Sequence, residues 1–195
     1  MRVISGRWKG RRLKSPAGDE VRPTTDRVKE ALFNILGPEV TGCLFLDLCC
    51  GAGGLGIEAL SRGAAAGVFI DLSRRSLAVA RENLDACGAG RDVVQMICTD
   101  AVAWLARWRP VEDSRPWVLV ADPPYHSSAA AAIMKELERL AEAPGFLAGI
   151  IEHGSRTPDL PTATSGRLAW QTRRYGESFL AVARGMMPAD PQEGE

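Results

Sequence analysis

Four consecutive residues, Asp122-Pro123-Pro124-Tyr125, have the composition of a catalytic loop and follow an apolar run. Two adjacent prolines fix φ and remove two backbone donors, so the segment presents mainly acceptors: the Asp122 carboxylate and the Pro123 carbonyl. An exocyclic amino group on a planar base carries two N–H donors that match these acceptors. Tyr125 can lie against the face of such a base, and stacking contributes about 1–3 kcal/mol. We predict that this loop acts on an amino group; the alternative is a proline-rich turn with a surface tyrosine.

A glycine-rich loop lies upstream, between an apolar run and a helical pattern. Gly51, Gly53 and Gly56 form G-x-G-x-x-G, in which the backbone can turn tightly and approach a ligand. Asp71 ends the next apolar run, where a carboxylate can accept hydrogen bonds from both hydroxyls of a ribose. These features predict an adenosine-containing cofactor and do not distinguish NAD or FAD from other members of that class.

Two further aspartates lie at the ends of predicted strands. Asp47 precedes the glycines and could order the loop or contact a cationic amine, whereas Asp100 is placed to accept a bond from an adenine amino group. With Asp71 and Asp122, the carboxyl ends of four successive strands each present a carboxylate, and open α/β sheets bind ligands at that edge. Each aspartate alone could be a helix cap, but their joint spacing favours one ligand site.

The periodicity of apolar residues predicts an α/β domain. Apolar runs predict buried strands at 43–49, 67–72, 93–98, 117–121 and 147–152, with helices at 54–62, 73–87, 100–108 and 127–142. This alternation indicates βαβ units and a parallel, doubly wound sheet. A helix capped by Thr24 or Thr25 precedes them, and 167–173 and 178–184 form an antiparallel hairpin. We predict one domain over 24–184 and a disordered tail over 185–195.

Composition excludes several classes of protein. The chain has 195 residues, of which 46% are hydrophobic and 25% charged, as in a globular domain and unlike a disordered chain. No apolar run approaches the roughly 18 residues of a membrane span, and no signal peptide is evident, so we expect a cytoplasmic protein without a membrane partner. Five cysteines without a C-x-x-C pair, and two histidines, predict structural thiols and no metal centre.

The net charge is zero, but cations are concentrated at the N-terminus. The basic residues of the first fourteen positions are Arg2, Arg7, Lys9, Arg11, Arg12 and Lys14, with no acid among them. Turn glycines and short apolar positions predict a small β-hairpin here, followed by a linker to residue 23. A basic arm on a mildly acidic body is typical of a phosphate-binding surface, and the alternative is a solvated hairpin with incidental cations. Trp8 could stack on a base or pin the hairpin.

Several segments resemble a known family. The D-P-P-Y segment is similar to the signature of S-adenosylmethionine-dependent amino-methyltransferases. More narrowly, the segment 22–34 (RPTTDRVKEALFN) resembles the RsmD family of bacterial 16S rRNA guanine-N2 methyltransferases. The segments 2–7 (RVISGR), 56–63 (GIEALSRG) and 175–177 (YGE) match the same family in the same order, so the resemblance spans residues 1–184.

The resemblance implies a Rossmann-like class I methyltransferase with a seven-stranded, mainly parallel sheet, an antiparallel last strand and a basic N-terminal extension. It implies S-adenosylmethionine as cofactor, without a metal. The implied cofactor-binding residues are Asp47, Gly51 and Gly53 at the methionine part, Asp71 at the ribose, Asp100 at the adenine, and Thr24 and Thr25 closing over the cofactor. Asp71 stands where the family commonly has Glu, and Cys49-Cys50 where it has an aromatic or small residue.

The implied reaction is methyl transfer to the N2 amino group of a guanine in 16S rRNA, within a 30S subunit or assembly intermediate, by a monomer. The expected RNA contacts are Arg2, Arg7, Lys9, Arg11, Arg12, Lys14 and Arg22. One alternative is an adenine-N6 DNA or glutamine-N5 protein methyltransferase with the same catalytic loop. Another, of a different class, is a dinucleotide-dependent oxidoreductase or adenosine sensor, which the D-P-P-Y loop disfavours.

Overall fold

The computed structural model describes residues 1–15, 25–110, 115–124, 127–154 and 167–185. In these ranges seven strands form one sheet, in the order β3-β2-β1-β4-β5-β7-β6. The strands are β1 (Leu44–Leu48), β2 (Ala66–Asp71), β3 (Val94–Cys98), β4 (Trp117–Ala121), β5 (Phe146–Gly154), β6 (Leu168–Tyr175) and β7 (Ser178–Gly185). Strand β7 is antiparallel to both of its neighbours, whereas the pairs among β1 to β5 are parallel. The predicted mainly parallel sheet with an antiparallel last strand is confirmed.

Helices cover both faces of the sheet. They are α1 (Asp26–Leu36), α2 (Gly54–Ser61), α3 (Arg74–Cys87), α4 (Ala101–Arg107) and α5 (Ala129–Arg139). Apolar residues of α1, α2 and α3 form one core cluster with alternate strand residues such as Phe45 and Val118. Residues of α4 and α5 form the second cluster with the opposite strand face, represented by Leu46 and Leu119. The domain is therefore the three-layer, doubly wound arrangement that the sequence predicted.

The boundaries of these elements follow local signals. Strands β1 and β4 are almost entirely buried, as expected of short apolar runs in a parallel sheet covered on both faces. The hydroxyl of Thr25 accepts a hydrogen bond from the Val28 N–H, so Thr25 caps α1, whereas Thr24 lies outside the described residues. The predicted strands and helices from β1 onward agree within three residues at each end. Strand β7 includes Gly185, the first residue of the predicted tail, and the remaining tail lies outside the described residues.

The N-terminal segment pairs with itself only near its two ends. An antiparallel bridge joins Arg2 to Arg12, and it is flanked by hydrogen bonds from the Val3 N–H to the Arg11 carbonyl at 2.9 Å and from the Leu13 N–H to the Met1 carbonyl at 3.0 Å. The chain between the paired ends makes turns, and the N–H groups of Ile4 and Ser5 donate to the carboxylate of Glu58 on α2, at 2.7 and 2.9 Å. We call residues 1–14 the N-terminal arm; it has the antiparallel pairing of a short hairpin over one bridge, and it is held against α2.

Glu58 is also the centre of a buried ion cluster. Its carboxylate is fully buried and lies 3.5 Å from the Lys29 ammonium and 2.8 Å from the Arg62 guanidinium. Burial lowers the pKa of Lys29, although Glu58 and Asp26 act in the opposite direction. The Lys29 ammonium also donates to the carbonyl of Arg2. One carboxylate thus joins the arm, α1 and α2.

No helix among the described residues has both the length and the apolar character to span a bilayer.

The substitution Glu58→Gln is expected to lower the free energy of unfolding by about 3–5 kcal/mol, because it leaves the buried Lys29 ammonium without its counter-ion. Guanidinium denaturation of the purified protein measures the change. Glu136→Gln, which removes a partly exposed pair with Arg139, is the control and is expected to cost less than about 1 kcal/mol. Equal losses in the two variants would contradict the role of Glu58.

Candidate active site

The candidate site lies at the carboxyl edge of the parallel strands, where the strand order reverses between β1 and β4. The chain leaves β1 toward one face of the sheet and leaves β4 toward the other, which opens a crevice between the two connections. Asp47 lies in β1, Asp71 ends β2, Asp100 follows β3 and Asp122 follows β4. The structure therefore brings the four predicted carboxylates to one edge.

The glycine loop between β1 and α2 has an unusual backbone. Cys49, Gly51 and Gly53 have φ values of 57°, 52° and 78°, in the left-handed region that favours glycine. A Cβ placed on Gly51 would meet no atom within 4 Å, so open space lies over this residue. A Cβ on Gly56 would collide with the Phe69 ring, so this glycine serves close packing of α2 on the sheet. Gly51 thus faces the crevice and Gly56 faces the core.

Asp47, in strand β1, orders the glycine loop by a hydrogen bond to its end. Its side chain is 1% exposed, and its Oδ2 accepts a hydrogen bond of 2.8 Å from the Gly56 N–H. Burial raises the pKa of Asp47 to about 8, with further upward contributions from Asp122 and Asp71, while the Gly56 bond lowers it. Of the two predicted roles for Asp47, ordering of the loop is the one seen in the structure.

Asp71 and Asp100 each bond to backbone N–H groups. Asp71 accepts from Gly51 and from Ser73, both at 2.8 Å, so it fastens the glycine loop to the end of β2. Asp100 caps α4, since its Oδ1 accepts from Ala103 N–H at 2.8 Å. Asp100 therefore has the geometry of a helix cap, which was the alternative to a role in ligand binding. Each carboxylate oxygen has two lone pairs, so these bonds leave acceptor capacity for a ligand.

All four carboxylates contribute to the raised pKa of one thiol, that of Cys49. The pKa of Cys49 is raised to about 12. Burial is the largest cause, and Asp71, Asp122, Asp47 and Asp100 each contribute to the increase. The pKa of the adjacent Cys50 is also raised. Burial is the largest cause, and Asp47 and Asp71 contribute less. The crevice therefore holds a neutral thiol beside acidic side chains, an environment that favours a cationic ligand over an anionic one.

The catalytic loop is fastened to the same crevice. The N–H of Asp122 donates to the carbonyl of Leu48 at 3.3 Å, which ties the loop to the end of β1. The carbonyl of Pro124 accepts from the Ser127 N–H and hydroxyl, at 3.0 and 2.8 Å. No described residue donates to the carbonyl of Pro123, which is the acceptor that the sequence singled out. Tyr125 lies outside the described residues.

Leu72 is a feature of this edge that sequence reasoning missed. It follows Asp71 directly and is 72% exposed, the one exposed large hydrophobic side chain of the described residues. The available signal was an apolar residue placed between a strand-terminal aspartate and the Ser73 cap of α3, where a polar residue is usual. Its side chain supplies an apolar surface beside the predicted ribose carboxylate.

The basic arm lies along α2, and its turn is remote from the crevice. Met1 packs against Gly54 at the start of α2, whereas Gly6 packs against the carbonyl of Ser61 at its end. The eight residues of α2 span about 12 Å, so the turn of the arm is about that far from the glycine loop. Arg7 and Lys9, in the turn, are therefore not a wall of the crevice.

The cations of the arm fall into two groups. Arg2 pairs with Asp26, Lys14 pairs with Glu82, and Arg11 donates to the carbonyl of Ala86 in the last turn of α3. The cations with no such partner in the described residues are exposed; they are Arg7, which lies 4.1 Å above the Trp8 ring, Lys9 and Arg12. Trp8 itself packs on the core and pins the arm. Arg22 lies outside the described residues, and RNA binding by these cations stays a prediction.

The described part of the chain holds no cluster of three or more side chains suited to binding a metal ion.

The buried Asp47 makes the stability of the free protein depend on pH. The folded state keeps the Asp47 proton up to about pH 8, whereas the unfolded chain releases it near the ordinary value of 3.8. The folded state thus binds more protons between these values, so the free energy of unfolding falls as pH rises from 5 to 8, by at most about 1.4 kcal/mol per pH unit. Asp47→Asn retains an oxygen for the Gly56 N–H and is expected to remove this dependence.

Urea denaturation at several pH values between 5 and 8 measures the two slopes. Asp85→Asn, which neutralises an exposed carboxylate on α3, serves as the control and keeps the wild-type slope. Identical pH slopes for Asp47→Asn and the wild-type protein would show that Asp47 does not hold its proton in the folded state.

Comparison with known proteins identifies relatives over most of the chain. A family model described as conserved hypothetical protein 95 matches residues 1–184. YlbH of Bacillus subtilis is 36% identical over 184 residues, which are 93% of this chain and 97% of that protein. Ribosomal RNA small subunit methyltransferase D of Escherichia coli is 35% identical over 148 residues, which are 76% of this chain and 70% of that enzyme.

Solved structures show the same fold. The yhhF protein of Escherichia coli has a TM-score of 0.71 and 29% identity, with 95% of this chain and 98% of that chain covered. An RNA methyltransferase from Salinibacter ruber, solved in complex with S-adenosyl-L-homocysteine, has a TM-score of 0.55 at 16% identity, with 89% and 100% covered. This likeness shows the Rossmann-like fold of class I methyltransferases. A family match over nearly the whole chain and relatives above 30% identity together establish that the chain belongs to the conserved hypothetical protein 95 family, the RsmD family.

Proposed function

We propose that this protein transfers a methyl group from S-adenosylmethionine to the N2 amino group of a guanine in 16S ribosomal RNA. The observation that carries the proposal is the convergence of Asp47, Asp71, Asp100 and Asp122 on one edge of the sheet, beside the Asp122-Pro123-Pro124 segment and the open space over Gly51. S-adenosylmethionine bears a sulfonium and an ammonium group, so a crevice lined by carboxylates favours it electrostatically. Membership of the RsmD family and the ribosomal RNA methyltransferase name of its Escherichia coli relative support the substrate class.

The residues at the crevice fit this cofactor. Open space over Gly51 admits its amino-acid part, whose ammonium group would lie close to the carboxylates. Asp71 retains lone pairs for the ribose hydroxyls, and Leu72 offers an apolar surface to the adenine ring. Asp100 is exposed and would accept a bond from the adenine amino group. The bound cofactor would supply the electrophilic methyl group.

The catalytic loop would prepare the nucleophile. The N2 lone pair of guanine is delocalised into the ring, which makes the amino group a poor nucleophile. Hydrogen bonds from its two N–H groups to the Asp122 carboxylate and the Pro123 carbonyl would favour a tetrahedral nitrogen whose lone pair is available for attack. Orientation and electrostatic stabilisation of the developing positive charge would supply much of the rate. The nitrogen would bond to the methyl carbon as the carbon–sulfur bond of the sulfonium breaks, which leaves S-adenosylhomocysteine, and it would then release one proton to solvent.

RNA would reach the crevice with its target base flipped out of the stack, at a cost of a few kcal/mol. Exposed cations on the arm, Lys9 and Arg12 among them, would hold phosphates; Lys9, in the turn, lies about 12 Å from the glycine loop along α2. We infer that a 30S subunit or an assembly intermediate is the substrate, that the enzyme acts as a monomer, and that it works in the cytoplasm.

Methyl transfer from radiolabelled S-adenosylmethionine to unmodified 30S subunits, free 16S rRNA and duplex DNA tests the proposal directly. We expect label in the 30S or rRNA reactions, recovered as N2-methylguanine. Label recovered only in DNA, as N6-methyladenine, would replace the proposal by the alternative that uses the same loop. Label confined to added protein acceptors, as N5-methylglutamine, would do the same.

Asp122→Ala is expected to reduce kcat at least about 100-fold, because it removes one acceptor for the amino group at the reacting centre. Binding of S-adenosylhomocysteine, measured by calorimetry, should stay nearly unchanged, since the loss concerns the acceptor base. Ser128→Ala, at an exposed position that makes no capping bond to α5, is the control and should retain full activity. Full activity of Asp122→Ala would exclude the proposed role.

The double substitution Lys9→Glu and Arg12→Glu is expected to weaken RNA binding and to reduce its salt dependence by about one to two units of slope, because two phosphate contacts are lost. The control, Arg107→Glu with Lys135→Glu, reverses two exposed cations on the other face of the sheet. Filter binding at several salt concentrations gives both slopes. A slope unchanged from the wild-type protein would exclude phosphate contacts by the arm.

A further inference from the structure

A buried amide on α3 joins the N-terminal arm to the glycine loop. Asn83 is 2% exposed, and its Nδ2 donates to the carbonyls of Lys14 and Ala52, both at 3.0 Å. Its Oδ1 accepts from the Lys14 N–H at 2.8 Å. Both donors of the side chain are used, one on each partner. We call Asn83, Lys14 and Ala52 the arm–loop bridge.

The bridge contacts the central peptide of the glycine loop, between residues 52 and 53. Asp71 bonds to Gly51 and Asp47 bonds to Gly56, and these residues lie on either side of Ala52. Ala52 stands between two left-handed glycines, whose backbone has many alternative conformations. Its carbonyl shares a peptide plane with the N–H of Gly53, which donates to Cys50 at 2.8 Å. Asn83 therefore fixes the orientation of the central peptide of the loop.

The arm supports α2 at three further levels. The side chain of Met1 packs on Gly54, the first residue of the helix. Glu58, in the middle, accepts from the backbone of Ile4 and Ser5. At the far end, the Ser61 hydroxyl donates to the Ser5 carbonyl at 2.6 Å and accepts from the Trp8 N–H at 3.0 Å. The arm is thus a continuous brace for the helix that follows the glycine loop.

We propose that Asn83 is a positioning residue for the glycine loop, and that through it the N-terminal arm is part of the cofactor site in addition to any contact with RNA. This inference rests on the proposed function, since it takes S-adenosylmethionine as the ligand of the loop. When the bridge is lost, the 52–53 peptide keeps only its bond from the Gly53 N–H to the Cys50 carbonyl, and a smaller fraction of molecules presents the loop in its binding geometry. Apparent affinity for the cofactor falls by that fraction.

Asn83→Ala is the direct test, with Ser61→Ala as the matched control. The control removes two hydrogen bonds to the arm at the far end of α2 and none to the glycine loop. We expect Asn83→Ala to weaken binding of S-adenosylhomocysteine about three- to tenfold, the loss associated with one hydrogen bond, and Ser61→Ala to leave it unchanged. The KM for S-adenosylmethionine should rise in Asn83→Ala while kcat at saturating cofactor stays within about twofold.

A second measurement uses the wild-type protein and does not depend on the folding of a variant. Because Lys14 N–H bonds to the residue that holds the loop, S-adenosylhomocysteine should slow hydrogen exchange at the Lys14 amide. The Trp8 amide, which bonds to Ser61, is the internal control and should exchange at an unchanged rate.

The outcomes separate the bridge from the proposed function. Unchanged affinity in Asn83→Ala, or equal losses in Asn83→Ala and Ser61→Ala, would overturn the positioning role, as would unchanged exchange at Lys14. In each of these cases the wild-type protein still binds S-adenosylhomocysteine. Failure of the wild-type protein to bind S-adenosylhomocysteine would instead overturn the proposed function, and the inference with it.

Discussion

The backbone of the glycine loop is the constraint on which the rest of the site depends. Three of its residues are in the left-handed region, and one of them, Cys49, is not glycine. Such a backbone is costly and persists only where its surroundings fix it. Here three side chains from three elements bond to the loop or to the first turn of α2: Asp47 from β1, Asp71 from β2 and Asn83 from α3. The crevice exists because these bonds hold the loop open beside β4.

Two of these supports are carboxylates, and they introduce an electrostatic conflict. Asp47 is buried with no described cation in hydrogen-bond range, and this burial, with contributions from Asp122 and Asp71, raises its pKa to about 8. Glu58 shows the contrasting solution, since it is equally buried but contacts Lys29 and Arg62. The domain thus balances the charge of the carboxylate that anchors the arm and leaves Asp47 without such a partner among the described residues. Asp47 avoids the cost of a buried charge by holding its proton.

The elements and the crevice could be predicted from the sequence because both depend on local pattern. Apolar periodicity located each strand from β1 onward, and the position of an aspartate at a strand end is enough to place it at the carboxyl edge. Turn glycines and apolar positions, which are local signals, predicted the pairing of the two ends of the N-terminal arm. The attachment of the arm to the Glu58 carboxylate was not predicted, because Glu58 lies more than fifty residues away in the chain. The exposure of Leu72 was not predicted, because the exposure of an apolar side chain depends on the tertiary structure around it and not on its neighbours in sequence.

The sequence by itself determined the order of strands and helices, the convergence of Asp47, Asp71, Asp100 and Asp122 on one edge, and the resemblance to the RsmD family. Contiguous motifs and periodicity carry all of that information. Only the tertiary structure decided which of the arm cations are engaged by other residues and what holds the glycine loop. Asn83 is 31 residues from Ala52 and 69 from Lys14, and it meets both because α3 packs beside α2. Hydrogen bonds over such separations depend on the packing of whole helices, which no local pattern specifies.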